Sequence, residues 1–81
     1  MRLDKFLKVS RLIKRRTVAN SVCDSARVFV NNNPAKPAKT LKEGDIITIE
    51  FRDSQKTVKV LKIPQGNVSI NEASSLYEII E

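Results

Sequence analysis

The chain has 81 residues, with 15 Lys and Arg, nine Asp and Glu and no His, which gives a formal charge of +6. With no His and a single Cys, it lacks the residues for the usual zinc sites, disulfide frameworks and Ser-His or Cys-His nucleophile pairs. We expect one domain over residues 1–81, because two smaller cores could not each hold together. Composition therefore favours a binding protein without catalytic residues, metal or cofactor.

Basic residues are concentrated in the first half of the chain. Residues 1–39 carry ten Lys or Arg and two acids (+8), whereas residues 40–81 carry five basic residues and seven acids (−2). A focused positive charge attracts polyanions, so the asymmetry favours a nucleic-acid partner over a merely solvated basic face. A lone Cys, no secretory signal pattern and no apolar run of about 18 residues favour a cytoplasmic protein without membrane or small-molecule partners.

The first predicted helix is amphipathic. Leu3, Phe6 and Leu7 recur at helical spacing and form its apolar side. The opposite side carries three basic residues, Arg2, Lys5 and Lys8. Ser10 is expected to interrupt or bend this helix, because its hydroxyl competes for backbone hydrogen bonds.

A basic connector leads into a second predicted helix. The connector contains Arg11, Lys14, Arg15 and Arg16. Thr17 is the predicted N-cap, since its hydroxyl can accept from a free backbone N–H. The apolar side of this helix is predicted to consist of Val18, Ala19, Val22, Cys23 and Ala26. We expect Cys23 to be a small core side chain rather than a reactive thiol.

The pattern then changes to the alternation that is typical of strands. Val28–Val30 is a predicted strand followed by a turn at Asn31–Asn33, because asparagine tolerates positive φ. Pro34 and Pro37 frame an extended edge segment. Glu43–Asp45 is predicted as a tight turn.

A hairpin and a tail complete the chain. Residues 46–51 form the strongest predicted strand, with Phe51 facing the core, and residues 57–63 pair with it. The tail, residues 72–81, is compatible with a helical turn at 73–77 or with a final strand around 77–79. The order of elements indicates an α+β fold, in which two short helices pack on one face of a small antiparallel sheet.

The basic residues predict an RNA-binding surface. On a turn between two helices, forked guanidinium groups can converge on an irregular phosphate backbone. The few aromatic residues are expected in the core, so structured RNA is favoured over stacked single strands or duplex DNA. Charge alone adds Lys14, Lys36 and Lys39 to this surface. Asp4 either complements the positive end of the first helix or directs a neighbouring Arg towards a phosphate, and both roles are compatible.

Ordered motifs along residues 1–50 resemble those of a known family. They are Arg2–Leu7, Ser10–Arg11, Arg15–Thr17, Arg27–Asn31 and Leu41–Asp45, and the tail Glu72–Tyr77 adds to the likeness. The set resembles the RNA-binding domain named after ribosomal small-subunit protein four, in its stand-alone form in the family of RqcP and the fifteen-kilodalton heat-shock protein. The resemblance implies RNA contacts by Arg2, Lys5, Arg11, Arg15 and Arg16, with Asp4 as the acid of the motif.

The same resemblance implies a non-catalytic factor for ribosome-associated quality control. Such a factor binds large ribosomal subunits obstructed by a peptidyl-tRNA, contacts large-subunit ribosomal RNA and tRNA, and helps a partner, RqcH, to add C-terminal alanine tails. Two alternatives stay open. One is heat-shock-type recycling of large subunits, and the other is an RNA-binding domain cut from an RNA-modifying enzyme such as a pseudouridine synthase.

Two positions depart from the family pattern. Ala26 and Asn32 stand where the family often has Gly. Asn32 can adopt the left-handed region at small cost, whereas Ala26 would lose about 1 kcal/mol there. Neither change removes a cation, so the departures concern the geometry of the loops rather than binding.

Overall fold

The computed structural model describes residues 1–66 and 68–80. Two helices come first, α1 (Leu3–Val9) and α2 (Arg16–Asp24). Four strands follow, β1 (Val28–Val30), β2 (Asn33–Pro34), β3 (Ile46–Glu50) and β4 (Gln55–Val60). The chain then forms a short helix, α3 (Ile70–Ala73), a 3₁₀ turn (Ser74–Leu76) and β5 (Tyr77–Ile79). The strands make one antiparallel sheet in the order β2-β1-β3-β4-β5, which confirms the predicted α+β fold.

A single core joins the first two helices to one face of the sheet. The fully buried apolar side chains of α1 are Leu3, Phe6 and Leu7, as predicted, and those of α2 are Ala19 and Cys23. The strands contribute alternate residues, namely Val28, Val30, Ile47, Ile49, Val58 and Val60. Strand register brings them onto the same face, since Ile47 pairs with both Val30 and Val58. Period-two alternation thus decides which side of the sheet the helices cover.

The first helix ends where the sequence predicted. Ser10 is the C-cap of α1, and its buried hydroxyl donates to the carbonyl of Leu7 at 3.3 Å. The next residue, Arg11, has a φ of +62°, so the chain turns sharply there. The N–H of Ile13 then donates back to the carbonyl of Leu7 at 3.0 Å, which closes the turn.

The second helix begins two residues earlier than expected. Arg15 is the extended N-cap and makes no side-chain capping bond, so the predicted cap at Thr17 is wrong. The N–H of Ala19 donates to the carbonyl of Arg15 at 3.0 Å, and this backbone bond sets the start of α2. The apolar side of α2 also contains fewer buried residues than predicted. Val18 is 46% exposed, and Ala26 lies beyond the helix in an exposed turn.

The β3–β4 hairpin is confirmed, although its ends differ from the prediction. β3 stops at Glu50, which pairs with Gln55 across the turn. Phe51 is 37% exposed, so the prediction that it faces the core is wrong. Its N–H donates to the carbonyl of Ser54 at 2.8 Å, which places the aromatic residue in the turn. β4 consequently starts and ends earlier than the predicted strand at residues 57–63.

Both predicted turns between the strands are present. Asn31 and Asn32 have φ values of +52° and +70°, and Gly44 has +91°. Side chains connect the two turns, because the amide of Asn31 donates to Asp45 at 3.2 Å and accepts from the N–H of Ile46 at 3.0 Å. Hydrogen bonds of the Asn31 side chain thus connect the ends of β1 and β3.

The tail contains both alternatives that the sequence allowed, one after the other. A helical segment at residues 70–76 buries Ala73 and Leu76. β5 follows and pairs with β4, with Tyr77 opposite Val60 and Ile79 opposite Val58. No helix among residues 1–66 and 68–80 has the length and apolar character that crossing a membrane requires.

Candidate nucleic-acid interface

A buried carboxylate organises the start of the first helix. Asp4 is only 2% exposed, and its Oδ1 accepts from the backbone N–H of Lys5 at 2.8 Å. Arg2 approaches it with two nitrogens, Nε at 3.2 Å from Oδ1 and Nη2 at 3.3 Å from Oδ2. From α2, the Nε of Arg16 lies 3.7 Å from Oδ2, and the Nδ2 of Asn20 donates to the same oxygen at 3.3 Å. Four groups, two from the start of α1 and its N-cap and two from α2, therefore converge on one side chain.

The two arginines remain half exposed while their shared partner is buried. The side chains of Arg2 and Arg16 are 50% and 49% exposed, against 3% for Asp4. Asp4 lies in the first turn of α1, where a negative charge complements the helix end. Both geometric roles predicted for Asp4, helix complement and arginine partner, are therefore present. Two guanidinium groups with one carboxylate leave a net positive surface with fixed donor directions.

Backbone hydrogen bonds connect the start of α1, where this cluster lies, to residues 37–40. Arg2 forms an isolated antiparallel bridge with Thr40. The N–H of Leu3 donates to the carbonyl of Lys39 at 2.8 Å, and that of Asp4 donates to the carbonyl of Pro37 at 3.2 Å. The segment at residues 37–40 thereby satisfies N–H groups of the first turn of α1, which no residue within the helix can satisfy.

Predicted basic residues line several separate cavities, of which three are described here. The first, about 550 Å³, is lined by Arg2, Asp4, Arg16, Thr17, Asn20 and Ser21. The second, about 330 Å³, is lined by Lys8, Val9, Arg11, Lys14 and Val68. The third, about 380 Å³, includes Lys36 and Lys39 in its lining, beside the β1–β2 turn. Arg11 and Lys14 therefore line a different cavity from the one around Asp4, and so do Lys36 and Lys39.

Two predicted residues lie outside these cavities. Arg15 is exposed at the start of α2 and Lys5 is half-buried on α1. Neither is among the residues that line these three cavities. Lys5 participates in the cluster through its backbone N–H rather than through its ammonium group.

Sequence reasoning missed residues that the structure adds to the site. Asn20 is the most important, because its amide holds the buried carboxylate. A signal was present in the sequence: Asn20 is four residues after Arg16, so both lie on one face of α2. Lys8 was expected on the basic side of α1 but not as a ligand-binding residue, and it lines the second cavity.

The thiol in α2 is not part of this interface. Cys23 is fully buried in the core, as predicted. Burial raises the pKa of Cys23 to about 11, and the negative charges of Asp4 and Asp24 add to the rise. The thiol is therefore neutral at physiological pH, which suits a packing side chain. Among the described residues, no group of three or more His, Cys, Asp or Glu is arranged to hold a metal ion.

Comparison with known proteins gives consistent matches. Residues 1–47 match the S4 domain family. The RQC P-site tRNA stabilizing factor of Halalkalibacterium halodurans is 52% identical over 79 residues, covering 98% of this chain and 89% of that protein. The Bacillus subtilis protein of the same name is 46% identical over 81 residues, covering 100% and 93%. The structure of Vibrio cholerae heat shock protein 15 superimposes with a TM-score of 0.88 at 33% identity, covering 98% and 80% of the two chains.

The fold is that of an S4 domain, and the chain belongs to this family. Within it, the chain belongs to the group that contains RqcP and heat shock protein 15, as its motifs predicted.

Proposed function

We propose that the chain is a non-catalytic RNA-binding factor that binds tRNA on the large ribosomal subunit in ribosome-associated quality control. The observation that carries the proposal is the pair of half-exposed arginines, Arg2 and Arg16, held by buried Asp4. The names of the H. halodurans and B. subtilis relatives support the setting, because both are RQC P-site tRNA stabilizing factors. A role on ribosomes places the protein in the cytoplasm.

The geometry of the cluster suits an RNA backbone. Arg2 uses Nε and Nη2 to contact Asp4, and Arg16 uses Nε. The Nη1 of Arg2 and both Nη atoms of Arg16 make no hydrogen bond to any described residue, so they are free to donate to phosphate oxygens. Guanidinium groups match phosphate geometry better than ammonium groups do. The cluster therefore offers directed donors rather than a diffuse positive charge.

Pre-organisation explains why a carboxylate belongs in a site for an anion. Ordering a long side chain on binding costs about 0.5–1.5 kcal/mol. Asp4 already restrains two arginines in the free protein, so their side chains lose less entropy when RNA binds. Asp4 cancels only part of the positive charge that attracts RNA, because one carboxylate faces two guanidinium groups. We therefore expect the two arginines to bind RNA in fixed directions and with a smaller loss of side-chain entropy.

The finer assignments belong to the same proposal. Large-subunit ribosomal RNA is the second RNA partner, and RqcH is the protein that the factor assists in adding C-terminal alanine tails. The motif resemblance supports both. Loss of ribosome association specifically in cells that lack RqcH would support the link to tailing. Unchanged association together with unchanged tailing in cells that lack this chain would contradict it.

The second candidate is recycling of large subunits after heat stress. The observation that favours it is the structural likeness to V. cholerae heat shock protein 15. A Haemophilus influenzae heat shock protein 15 homologue is also 30% identical over the full chain, which spans 62% of that protein. The two candidates differ in when the protein is recruited. Recruitment that rises on heating but not on ribosome stalling would favour recycling.

Co-sedimentation with purified large subunits tests the proposed function. We expect the wild-type protein to pellet with subunits that carry peptidyl-tRNA, and the Arg2→Ala/Arg16→Ala variant to remain mostly in the supernatant. The matched control is Lys59→Ala/Lys62→Ala, which removes the same charge from two exposed residues, one in β4 and one just after it. A wild-type protein that does not pellet would refute the function. Equal pelleting of wild type and the arginine variant would refute only the site.

A further inference from the structure

We propose that the outer edge of β5 is a docking site for an extended, basic segment of a partner protein, which adds a strand to the sheet. Among residues 1–66 and 68–80, β5 is the last strand of the sheet and pairs with β4 alone. An exposed strand edge offers backbone groups with which another chain can pair. No residue of β5 lines the cavity around Asp4, so this edge is separate from the proposed RNA site.

The register of β5 shows which backbone groups face outward. Glu78 lies opposite Lys59, and the N–H of Ile80 donates to the carbonyl of Thr57 at 2.9 Å. Bonded pairs alternate along an antiparallel ladder, so Glu78 and Ile80 direct their backbone groups at β4. Ile79, between them, therefore directs its N–H and C=O away from β4. Neither group bonds to another residue in the described part of the chain, so both can pair with an added strand.

The same edge exposes two large apolar side chains. Ile79 is 58% exposed and Ile80 is 52% exposed. Successive side chains project to opposite faces of a sheet, so a strand added beside β5 would cover one isoleucine on each face. Proteins usually protect an exposed edge with Lys or Pro, and residues 77–80 contain neither. The edge therefore combines unbonded backbone groups with apolar surface.

The opposite edge of the sheet lacks these properties. It is formed by β2, which contains only Asn33 and Pro34. Pro34 has no N–H to donate, and proline within a strand prevents further pairing on that side. The sheet therefore has one edge that can accept a further strand, and it is the edge of β5.

Charge favours a basic partner segment. Glu78 is exposed and is the one charged residue at positions 77–80. Among the described residues, the ion pairs within 4.0 Å are those of Asp4, so the carboxylate of Glu78 can pair with a partner. In an added strand, the Cβ of the residue opposite Glu78 would be about 4.5–5.5 Å away, where an opposite charge stabilises pairing. Lys59 would be two strand spacings away, about 10 Å, where salt screens its repulsion.

A second copy of the chain fits this edge less well. If two β5 strands paired antiparallel over all three residues, Glu78 would lie directly opposite its own counterpart. Like charges at such a position destabilise the pair. Pairing of β5 with β2 of another copy would meet Pro34, which cannot donate. A different protein with Lys or Arg between apolar residues is the better occupant.

An NMR titration followed at the amide of Ile79 tests the edge directly. The probe is a short peptide in which Lys alternates with Val, and the comparison peptide has Glu in place of Lys. We expect the Lys peptide to slow hydrogen exchange of the Ile79 amide about tenfold at saturation, with little change at Glu78 and Ile80, which already face β4. The Glu peptide should bind there about threefold to tenfold more weakly. Unchanged exchange at Ile79, or equal binding of the two peptides there, would overturn the proposal.

Two substitutions separate the backbone and charge contributions. We expect Ile79→Pro to weaken binding of the Lys peptide about tenfold in an anisotropy titration, because it removes the outward N–H and leaves the bonds to β4 in place. Ile79→Val is the matched control, since it keeps the N–H and the branched side chain. Glu78→Gln should weaken binding of the same peptide about threefold. Equal binding by the Pro and Val variants would overturn strand addition, and an unchanged affinity of Glu78→Gln would overturn the basic partner.

Two further measurements identify the occupant and keep this site distinct from the proposed function. We expect the free protein to be a monomer in analytical ultracentrifugation. A dimer that Ile79→Pro dissociates would assign the edge to a second copy and overturn the proposal. The peptide titrations contain no RNA, so their outcome does not depend on subunit binding. A wild-type protein that binds the Lys peptide at Ile79 but does not pellet with large subunits would refute the proposed function and support the docking site.

Discussion

Oδ2 of Asp4 in α1 lies 3.7 Å from Nε of Arg16 in α2, and this ion pair connects the starts of the two helices. The same carboxylate contacts Arg2. A single buried acid therefore determines where both guanidinium groups lie. Removing the charge of Asp4 has two opposite effects on RNA binding. The higher net charge strengthens binding, whereas the loss of fixed arginine directions weakens it.

Asp4→Asn should weaken RNA binding although it makes the protein more positive. The amide keeps the shape of the side chain but cannot hold two guanidinium groups, so both arginines must be ordered on binding. At about 0.5–1.5 kcal/mol for each side chain, affinity should fall about tenfold in an anisotropy titration. Asp24→Asn is the control, since it adds the same charge at an exposed position. Tighter binding by Asp4→Asn would show that net charge, not direction, controls the affinity.

Asn20→Ala should produce a smaller loss of the same kind. Its Nδ2 donates to Asp4 at 3.3 Å, and one such bond contributes about 0.5–1.5 kcal/mol. We expect about a threefold loss of RNA affinity. Ser21→Ala provides the control: Ser21 lines the same cavity without a hydrogen bond to Asp4 among the described contacts. Equal effects of the two substitutions would refute a positioning role for Asn20.

Binding to structured RNA should depend steeply on salt. Five to seven phosphate contacts predict a slope of roughly −4 to −6 in a plot of log affinity against log salt. The measurement is a hairpin titration at several salt concentrations, with the salt anion held constant. A flat plot would exclude backbone recognition as the source of affinity.

Stability should fall at alkaline pH because of the buried thiol. The pKa of Cys23 is raised to about 11 from 9.0, so between these values the unfolded chain loses a proton that the folded protein retains. Folding stability is therefore intact below pH 9 and decreases as pH rises towards 11, by about 2–3 kcal/mol for this group. Urea unfolding of the wild type and of Cys23→Ala measures it. The stability difference between them should shrink over this range, and a constant difference would contradict the prediction.

Ala26→Gly should stabilise the protein. Ala26 follows α2 with a φ of +62°, where its Cβ is unfavourable by about 1–2 kcal/mol, partly offset by the greater freedom of unfolded Gly. We expect a net gain of about 1 kcal/mol, equivalent to about 4–8 °C in the unfolding midpoint. Ala19→Gly, within α2, should instead destabilise, because Gly is unfavourable in a helix interior. A lower midpoint for Ala26→Gly would show that strain is not relieved there.

Local patterns in the sequence predicted most of the fold. The spacing of Leu3, Phe6 and Leu7 identified the buried side of α1, and alternation identified β1 and the hairpin. The asparagine turn was recognisable because few other residues tolerate left-handed backbone. Both failures concern the backbone rather than the side-chain pattern. The start of α2 and the turn at Phe51 are defined by local backbone bonds, which the spacing of apolar residues does not encode.

The candidate site was only partly predictable for the same reason. The identity of Arg2, Asp4 and Arg16 followed from charge and motif, but their convergence depends on packing between two helices. Arg11 and Lys14 line a different cavity from Asp4, and the turn between them and α1 has at Arg11 a positive φ that is not expected of arginine. Sequence therefore predicted which residues form the interface better than how they are grouped.

The layered fold has a consequence for how the domain first meets a polyanion. Residues 2–24, which form α1, α2 and the turn between them, carry seven Lys or Arg and two acids, whereas residues 25–81 carry eight and seven. In the field of a nearby polyanion, this arrangement produces a torque that rotates the helical side towards it before the surfaces touch. Collisions are thus biased towards the orientation in which the two helices face the polyanion.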